Sequence, residues 1–504
     1  MDSNGIYTLN SDTNNGKTIK PELIKAMLIT SLVYGIVFTA LMYDNFNALM
    51  TPVVAAGAIV IGVIFLKNLG YAIKPGFTFL AVAVELLAIN ICMTRDGVLV
   101  FFDYAAMIIF TLLALVHQLN DDSKWTFGNY FVISNVLFGN IFKHLPDLVS
   151  DPIRFGKTKE RKNRKGAAVL IGICIAIPIL TIVLILLSSA DIVFNSLVSG
   201  ILETIFSPTI FGIIFLFVNV VFFFYALIKA TGCYGDRKID VKEGSIEPAI
   251  AITIGCMLGF VYVIFSVIQI AYLFIGNFEL PSGYTYSEYV HQGFEELIIV
   301  CFLNMVLVIL GRSLFKRSRI LNVILIVISL CTYNMLASCA VRLGMYISAY
   351  HMTVLRFLVI WALVIIGVLM AGVMVYICRD NFPIFRFGTV CVVIWFTALS
   401  LCHPDYQVMK YNLNRAVTDN SVDYEYMVRL SSDAAPAIID VIENNPGGIY
   451  YYDGRDSYSF MSCASRFFRS DSDFYNGKEK ENIRNFNFSL HYCIEKYEEY
   501  FKDT

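Results

Sequence analysis

The feature that most limits what this chain can become is a series of long apolar runs whose connectors alternate in positive charge. The hydrocarbon core of a bilayer is about 30 Å thick and an α-helix rises about 1.5 Å per residue, so roughly twenty mostly apolar residues are needed to cross it. Runs of this kind centre on 26–43, 49–66, 77–92, 98–116, 166–188, 208–228, 248–275, 286–310, 320–342, 353–377 and 383–401. With the N-terminus placed inside, the inner connectors hold 3 (1–25), 2 (67–76), 9 (118–165), 4 (229–247), 4 (311–319) and 2 (378–386) lysines and arginines. The outer connectors hold Arg95 alone, while Arg342 and Arg356 fall at helix ends. Short positive loops are retained on the cytoplasmic side, so an asymmetry of 24 to 1 that holds across every connector predicts eleven spans.

The expected fold class is therefore all-α: a polytopic transmembrane helix bundle of about eleven spans with a small, mostly helical C-terminal extracytoplasmic domain. The expected divisions are a cytoplasmic segment 1–25, a transmembrane domain 26–402 and an acidic outer domain 403–504. Composition supports this, since 57% apolar and 15% charged residues leave too little charge to cover a water-facing surface. The formal charge is +4 over 1–402 and −6 over 403–504, and so mild an acidic domain speaks against nucleic acid as a partner. A polar stretch of 24 residues precedes the first apolar run and no small-residue cleavage site follows it, so no signal peptide is expected.

Residues 129–142 (NYFVISNVLFGNIF) are apolar enough to suggest another span. Fourteen residues reach only about 21 Å as a helix, and a span here would invert the parity of everything before it. The segment is expected to lie at the interface with Tyr130, Ile133, Leu137, Phe138 and Ile141 towards lipid. The basic run Lys157, Lys159, Arg161, Lys162, Arg164 and Lys165 follows. It reads first as a stop signal fixing topology, and second as a surface for anionic lipid headgroups.

In the tail, SSDAAPAIIDVIENNPGG places Asp433 as an expected N-cap, Pro436 in a first turn and a Pro-Gly-Gly stop at 446–448. IYYYDGRD suggests a short strand and turn, and FSLHYCIEKYEEYF aligns Leu490, Cys493, Ile494, Tyr497 and Phe501 on one helical face. Ten of the twelve cysteines lie in or beside apolar runs without CxxC or Cys/His spacing and read as packing residues, not metal ligands. Cys463 and Cys493 lie in the tail, where pairing stays open.

Three segments carry a resemblance. YSEYVHQGFEEL (286–297), RLGMYISAYHMTVLR (342–356) and YNLNRA with VDYEYMVRLSSDAAPAI (411–438) resemble motifs of a bacterial multipass family, domain of unknown function 4173. His291 stands where that family has Arg. The resemblance implies a bacterial plasma-membrane protein and supplies no activity.

Ionisable groups within the membrane are costly and are the default candidates for function. Glu288, His291, Glu295 and Glu296 enter the eighth span from outside, Arg342 closes the ninth and Arg356 opens the tenth. Spacings of three and four align Glu288, His291 and Glu295, with Glu296 about 100° round the helix. The bland reading is an ion pair of Glu296 with Arg342 or Arg356 that locks the bundle; the functional one is an outer-leaflet polar cluster for an ion, proton or headgroup. Glu85, mid-way along the third span, and Asp103 on the fourth, with Asn90 nearby, form a candidate buried acid relay or a plain interhelical hydrogen bond.

There is no GxSxG, GxxxxGK[ST], HExxH or GxGxxG, so no catalytic residue, metal site or cofactor is expected. An acid in the first outer loop of lipid-linked glycosyltransferases finds only a weak parallel in Asp44. Two readings stay open: transport of a small solute, ion or lipid through the bundle, or a non-transporting sensor or scaffold whose C-terminal domain binds a ligand or protein partner.

Overall fold

The computed structural model of the protein describes residues 8–9, 19–121, 125, 127–156, 183, 187, 191, 194, 208–234, 239–240, 246–271, 294–379, 382–419, 424–444, 450–453, 456–476 and 482–502. Ten helices among them are long and apolar enough to cross a membrane. They are α1 (Pro21–Met42), α2 (Met50–Asn68), α3 (Pro75–Met93), α4 (Gly97–Leu119), α7 (Pro208–Gly232), α8 (Pro248–Gln269), α9 (Phe294–Leu314), α10 (Arg319–Tyr350), α11 (Val354–Cys378) and α12 (Ile384–Leu401). Between α4 and α7 the described residues include two further complete helices, α5 (Phe127–His144) and α6 (Asp147–Gly156). The expected fifth run, 166–188, lies almost wholly outside the described residues, as does the basic run 157–165.

The sequence sets most helix starts. Proline opens α1, α3 and α8, where its missing N–H costs nothing. The Asp96 carboxylate accepts from the N–H groups of Val98 (2.9 Å) and Leu99 (3.2 Å) to cap α4, and Thr353 Oγ1 accepts from the Arg356 N–H to cap α11. In lipid the helical backbone must satisfy itself, and apolar side chains such as Ile29, Val33, Phe101, Met257 and Phe260 are left exposed on the bundle's outer wall.

α2, α3, α4, α5 and α12 share one core around Leu80, Leu87, Phe110, Ile133 and Val393. Two further cores gather α8, α9, α10 and α11, around Met335, Cys339 and Leu343, and around Val308, Leu325 and Met370. α1 packs on α7 closely enough that a Cβ on Gly35 would meet Val221 Cγ2 at 2.3 Å. α10 has 32 residues, about 48 Å of helix, so its last turns overrun the thickness of a bilayer core.

α5 corrects an expectation. Of the five residues assigned to lipid, Tyr130, Ile133, Leu137 and Ile141 are buried, and only Phe138 faces outward. The Tyr130 ring stacks on Phe385 of α12 at 3.5 Å between centroids and meets Trp125 edge-on. An amphipathic stripe fits protein as well as lipid, and here the groove between α4, α7 and α12 takes it.

Connectors meet in two sets. In one, the Lys74 N–H donates to Gln118 Oε1 (3.0 Å), Lys74 Nζ to the carbonyls of His117 and Asn120, and Tyr234 Oη to Asn120. In the same set Lys229 Nζ pairs with Asp147 (2.8 Å) and Asp151. Burial acts to raise the Asp147 carboxyl, but the hydrogen bonds and charges of Lys229 and His144 outweigh it and hold it below its ordinary range.

At the other end of the bundle sits a C-terminal layer: α13 (Pro404–Asp419), α14 (Tyr424–Arg429), a 3₁₀ turn Ser432–Ala434, α15 (Ala435–Asn444), α16 (Phe460–Asn476) and α17 (Phe488–Tyr500). An antiparallel ribbon of β3 (Tyr450–Asp453) and β4 (Asp456–Ser459) joins α15 to α16, and a second two-stranded ribbon pairs β1 (Thr8–Leu9) with β2 (Ile239–Asp240). The layer has its own core of Leu413, Met427, Ile438, Phe467, Phe468, Cys493 and Phe501. The face expected of α17 is the one that packs, and Cys463 and Cys493 are both free thiols.

Gly372 on α11 offers a direct test of the packing, because a Cβ there would meet Phe387 Cε1 of α12 at 2.2 Å, while a Cβ on Gly367 meets nothing within 4 Å. Gly372→Val should cost about 1–3 kcal/mol through overpacking, read as a lower midpoint of thermal aggregation in detergent. Gly367→Ala should leave that midpoint unchanged or higher.

Candidate functional site

The C-terminal layer is held to the bundle by a set of buried hydrogen bonds centred on Asp433. This carboxylate, almost wholly shielded from solvent, accepts from Thr94 Oγ1 (2.5 Å) and the Arg95 N–H (2.8 Å) in the α3–α4 connector, and from Ser489 Oγ (2.5 Å) on α17. His403 Nδ1, just past α12, lies 3.2 Å from it. Asp433 was expected to be an N-cap; it instead lies in the 3₁₀ turn, whose flanking Ser431 makes no side-chain cap, and its oxygens serve distant segments.

Asn487 does the same from α17. Its Nδ2 donates to the carbonyls of Asn47 (2.7 Å) and Thr94 (3.0 Å), its Oδ1 accepts from the Leu490 N–H, and the Leu49 N–H donates to Phe486 O (2.8 Å). The connectors 43–49 and 94–96 are thus clamped by one C-terminal segment. At the α10–α11 connector, Asn412 exchanges two hydrogen bonds with the backbone of Met352 (2.9 and 2.8 Å). There Tyr426 Oη accepts from the Val354 N–H (2.7 Å), and the Arg415 guanidinium donates to the carbonyls of Ile347 (3.0 Å) and Ser348. Asp405 accepts from the Ser431 N–H (2.8 Å); burial pushes its carboxyl above the ordinary range, with the Ser431 bonds working the other way.

One side-chain network in the bundle lies directly beneath. Asp103 of α4, fully buried, accepts from Asn90 Nδ2 of α3 (2.9 Å) and Ser400 Oγ of α12 (2.8 Å), and Asn90 Nδ2 also reaches Ser400 (2.7 Å). Asp103 Oδ1, Asn90 Oδ1 and Glu85 Oε2 are buried with no hydrogen-bond partner among the described residues. Asn90 and Asp103 meet and Ser400 joins them, but no hydrogen bond links them to Glu85, the acid they were expected to accompany, among the described residues.

The outer-leaflet cluster is placed in part. Glu288 and His291 lie outside the described residues, and Glu295 is helical with its side chain outside them. Glu296 is exposed, and no ion pair joins it to Arg342 or Arg356 among the described residues. Arg356 is engaged elsewhere: its guanidinium donates to the carbonyls of Tyr350 (2.8 Å) and His351 and lies 3.9 Å above the Tyr346 ring. Arg342 is half-buried on α10. Among the described residues no group of His, Cys, Asp and Glu is arranged to hold a metal ion.

The sequence segments that stand out contain Asn412, Arg415, Tyr426, Asp433 and Ser489 but give these residues no joint role; Asn487 and His403 went unremarked. The one available signal was a polar residue at the edge of each connector beside a helix start, which is common in any chain.

Comparison with known families settles the ancestry. Residues 81–441 match the family described as Domain of unknown function (DUF4153). The chain belongs to that family. The resemblance to domain of unknown function 4173 is thereby corrected, since all three segments that carried it lie within the DUF4153 match. No curated protein and no solved structure matches the chain.

Removing one of the two donors to the Asp103 carboxylate gives a prediction. Ser400→Ala should cost about 1–3 kcal/mol, the range for leaving a buried acceptor short of a partner. Ser400→Thr, which keeps the hydroxyl, should cost less in the same thermal assay.

Proposed function

We propose that this DUF4153 member is a multipass plasma-membrane protein, with a cytoplasmic N-terminus and residues 403–504 forming an extracytoplasmic unit, that works as a non-transporting sensor or scaffold. The orientation rests on the 24-to-1 bias of basic residues. The mechanism rests on one observation: a single shielded carboxylate, Asp433, ties together the α3–α4 connector, the end of α12 and α17. A ligand or protein that binds the layer differently in latched and loosened states would shift the ends of α3, α4 and α12 with it, by no more than its differential affinity. Asn412 and Arg415 would carry the same shift to α10 and α11.

A second reading, movement of a small solute, ion or lipid through the bundle, draws support from the unpartnered oxygens of Glu85, Asn90 and Asp103. Buried acids of this kind mark ion and proton paths in other membrane proteins.

Hydrogen–deuterium exchange on the full chain in nanodiscs separates these. Asp433→Asn should raise uptake together in 94–100, in the start of α13 and in 486–491, whereas Glu85→Gln should leave all three unchanged. Uptake confined to 431–436 would overturn the coupling. In proteoliposomes with an internal pH dye, proton leak equal to that of empty vesicles is expected; leak abolished by Glu85→Gln would support transport instead.

A further inference from the structure

Beside the clamp, and sharing Asn47, Arg95 and Asn487 with it, lies a cavity of about 1180 Å³ to which the sensor reading gives no role. One wall is apolar and comes from α1 and α7: Ile36, Ala40, Ile213 and Phe217. The rim is polar, with Asp44, Asn45 and Asn47 from the first connector, Arg95 from the second, and Asn482, Arg484, Asn485 and Asn487 from the segment before α17. The division follows depth, because the apolar wall belongs to membrane-spanning helices and the rim to their connectors. Ile36 and Ile213 are exposed on the bundle surface, so the apolar part opens sideways where acyl chains lie.

The rim favours an anion. Among the described residues it carries two guanidiniums against one carboxylate, and Thr209, in the first turn of α7, brings the positive end of a 25-residue helix to the same place. Its parts are fixed in advance. Asn482 and Asn485 bond reciprocally in a turn, with Asn482 Oδ1 accepting from the Arg484 N–H (2.9 Å) and the Asn485 N–H (3.2 Å), and the Asn482 N–H donating to Asn485 Oδ1 (2.7 Å). The Arg484 guanidinium donates to the Tyr43 carbonyl, which leaves further donors of its fork available. In the wall, Thr39 Oγ1 is buried with no hydrogen-bond partner among the described residues, although buried hydroxyls are nearly always paired.

We infer that this cavity binds a phospholipid with an anionic head, its phosphate held at the rim by Arg484 and Arg95 and its glycerol and upper acyl chain laid along Ile36, Ala40, Ile213 and Phe217. Guanidinium and phosphate match in planar, paired hydrogen bonds. The volume exceeds what a free phosphate needs and suits a headgroup with the start of its chains. The site is at the end of the bundle opposite the Lys74, Asn120 and Lys229 contacts.

Native mass spectrometry of the full chain in neutral detergent tests this, with phosphatidylglycerol and phosphatidylcholine of matched chains as probes. Phosphatidylglycerol should bind about tenfold more tightly. Arg484→Gln should cut phosphatidylglycerol binding several-fold and remove most of that preference, with a smaller loss for phosphatidylcholine, whose ammonium already offsets its phosphate, and Ala40→Trp, which narrows the apolar wall without touching the clamp, should weaken both lipids. Equal binding of the two lipids by the unaltered chain would overturn the inference, as would an Ala40→Trp variant, folded by its thermal midpoint, that binds both normally. Glycerol phosphate should compete only at concentrations at least a hundredfold higher; competition at equal concentration would assign the rim to a free phosphate compound and not to lipid.

Discussion

A buried carboxylate that accepts from three remote parts of the chain is the contact on which this architecture turns. Asp433 stands 339 residues from Thr94 and 56 from Ser489, and little but folding brings those donors together. Each donor would otherwise be a buried polar group without a partner, at a cost of about 1–3 kcal/mol apiece. The interaction therefore reads less as added stability than as a condition: the C-terminal layer and the connectors beneath it are satisfied together or not at all. Asn487 and Asn412 repeat the device with side-chain amides on backbone groups. That repetition spreads the attachment over the ends of α3, α4, α10 and α11.

Below the clamp the bilayer imposes a different logic. Apolar packing inside lipid gains little from water exclusion, so close approach and interhelical hydrogen bonds carry the specificity. Gly35 against Val221, Gly372 against Phe387 and the Asp103–Asn90–Ser400 network are instances. Ser400 lies three residues before His403, so the polar centre between α3, α4 and α12 is separated from Asp433 by less than a helical turn of α12. This nearness makes the clamp and the buried acid one neighbourhood in the fold.

Much of the fold could be read from the sequence because hydropathy acts locally: a run of twenty apolar residues crosses lipid whatever its neighbours do. Ten of the eleven expected spans, the face of α17 and the strand at 450–453 follow from such local signals. What failed needed partners. The stripe of α5 was assigned to lipid because periodicity reports only that a face is apolar, and it was Phe385 and α12 that claimed Tyr130. Asp433 was assigned to a local cap for the same reason, since the preference of Asp for helix starts is local and the pull of Thr94, Arg95 and Ser489 is not. Three short motifs pointed to a different family, whereas the match over 81–441 integrates signals along more than half the chain. Glu85 and Asp103 stood out as acids in apolar runs, but only coordinates could separate the bonded one from the one with no hydrogen bond among the described residues.

Thr94 and Asp433 meet across the boundary between bundle and C-terminal layer, and their coupling is the quantity on which the latch stands. A double-mutant cycle on the full chain measures it most directly, using thermal midpoints of Thr94→Val, Asp433→Asn and the pair. The double variant should be scarcely less stable than Asp433→Asn alone, with a coupling of about 1 kcal/mol or more, well outside the roughly 0.3–0.5 kcal/mol scatter of independent sites. Losses that simply add would contradict it.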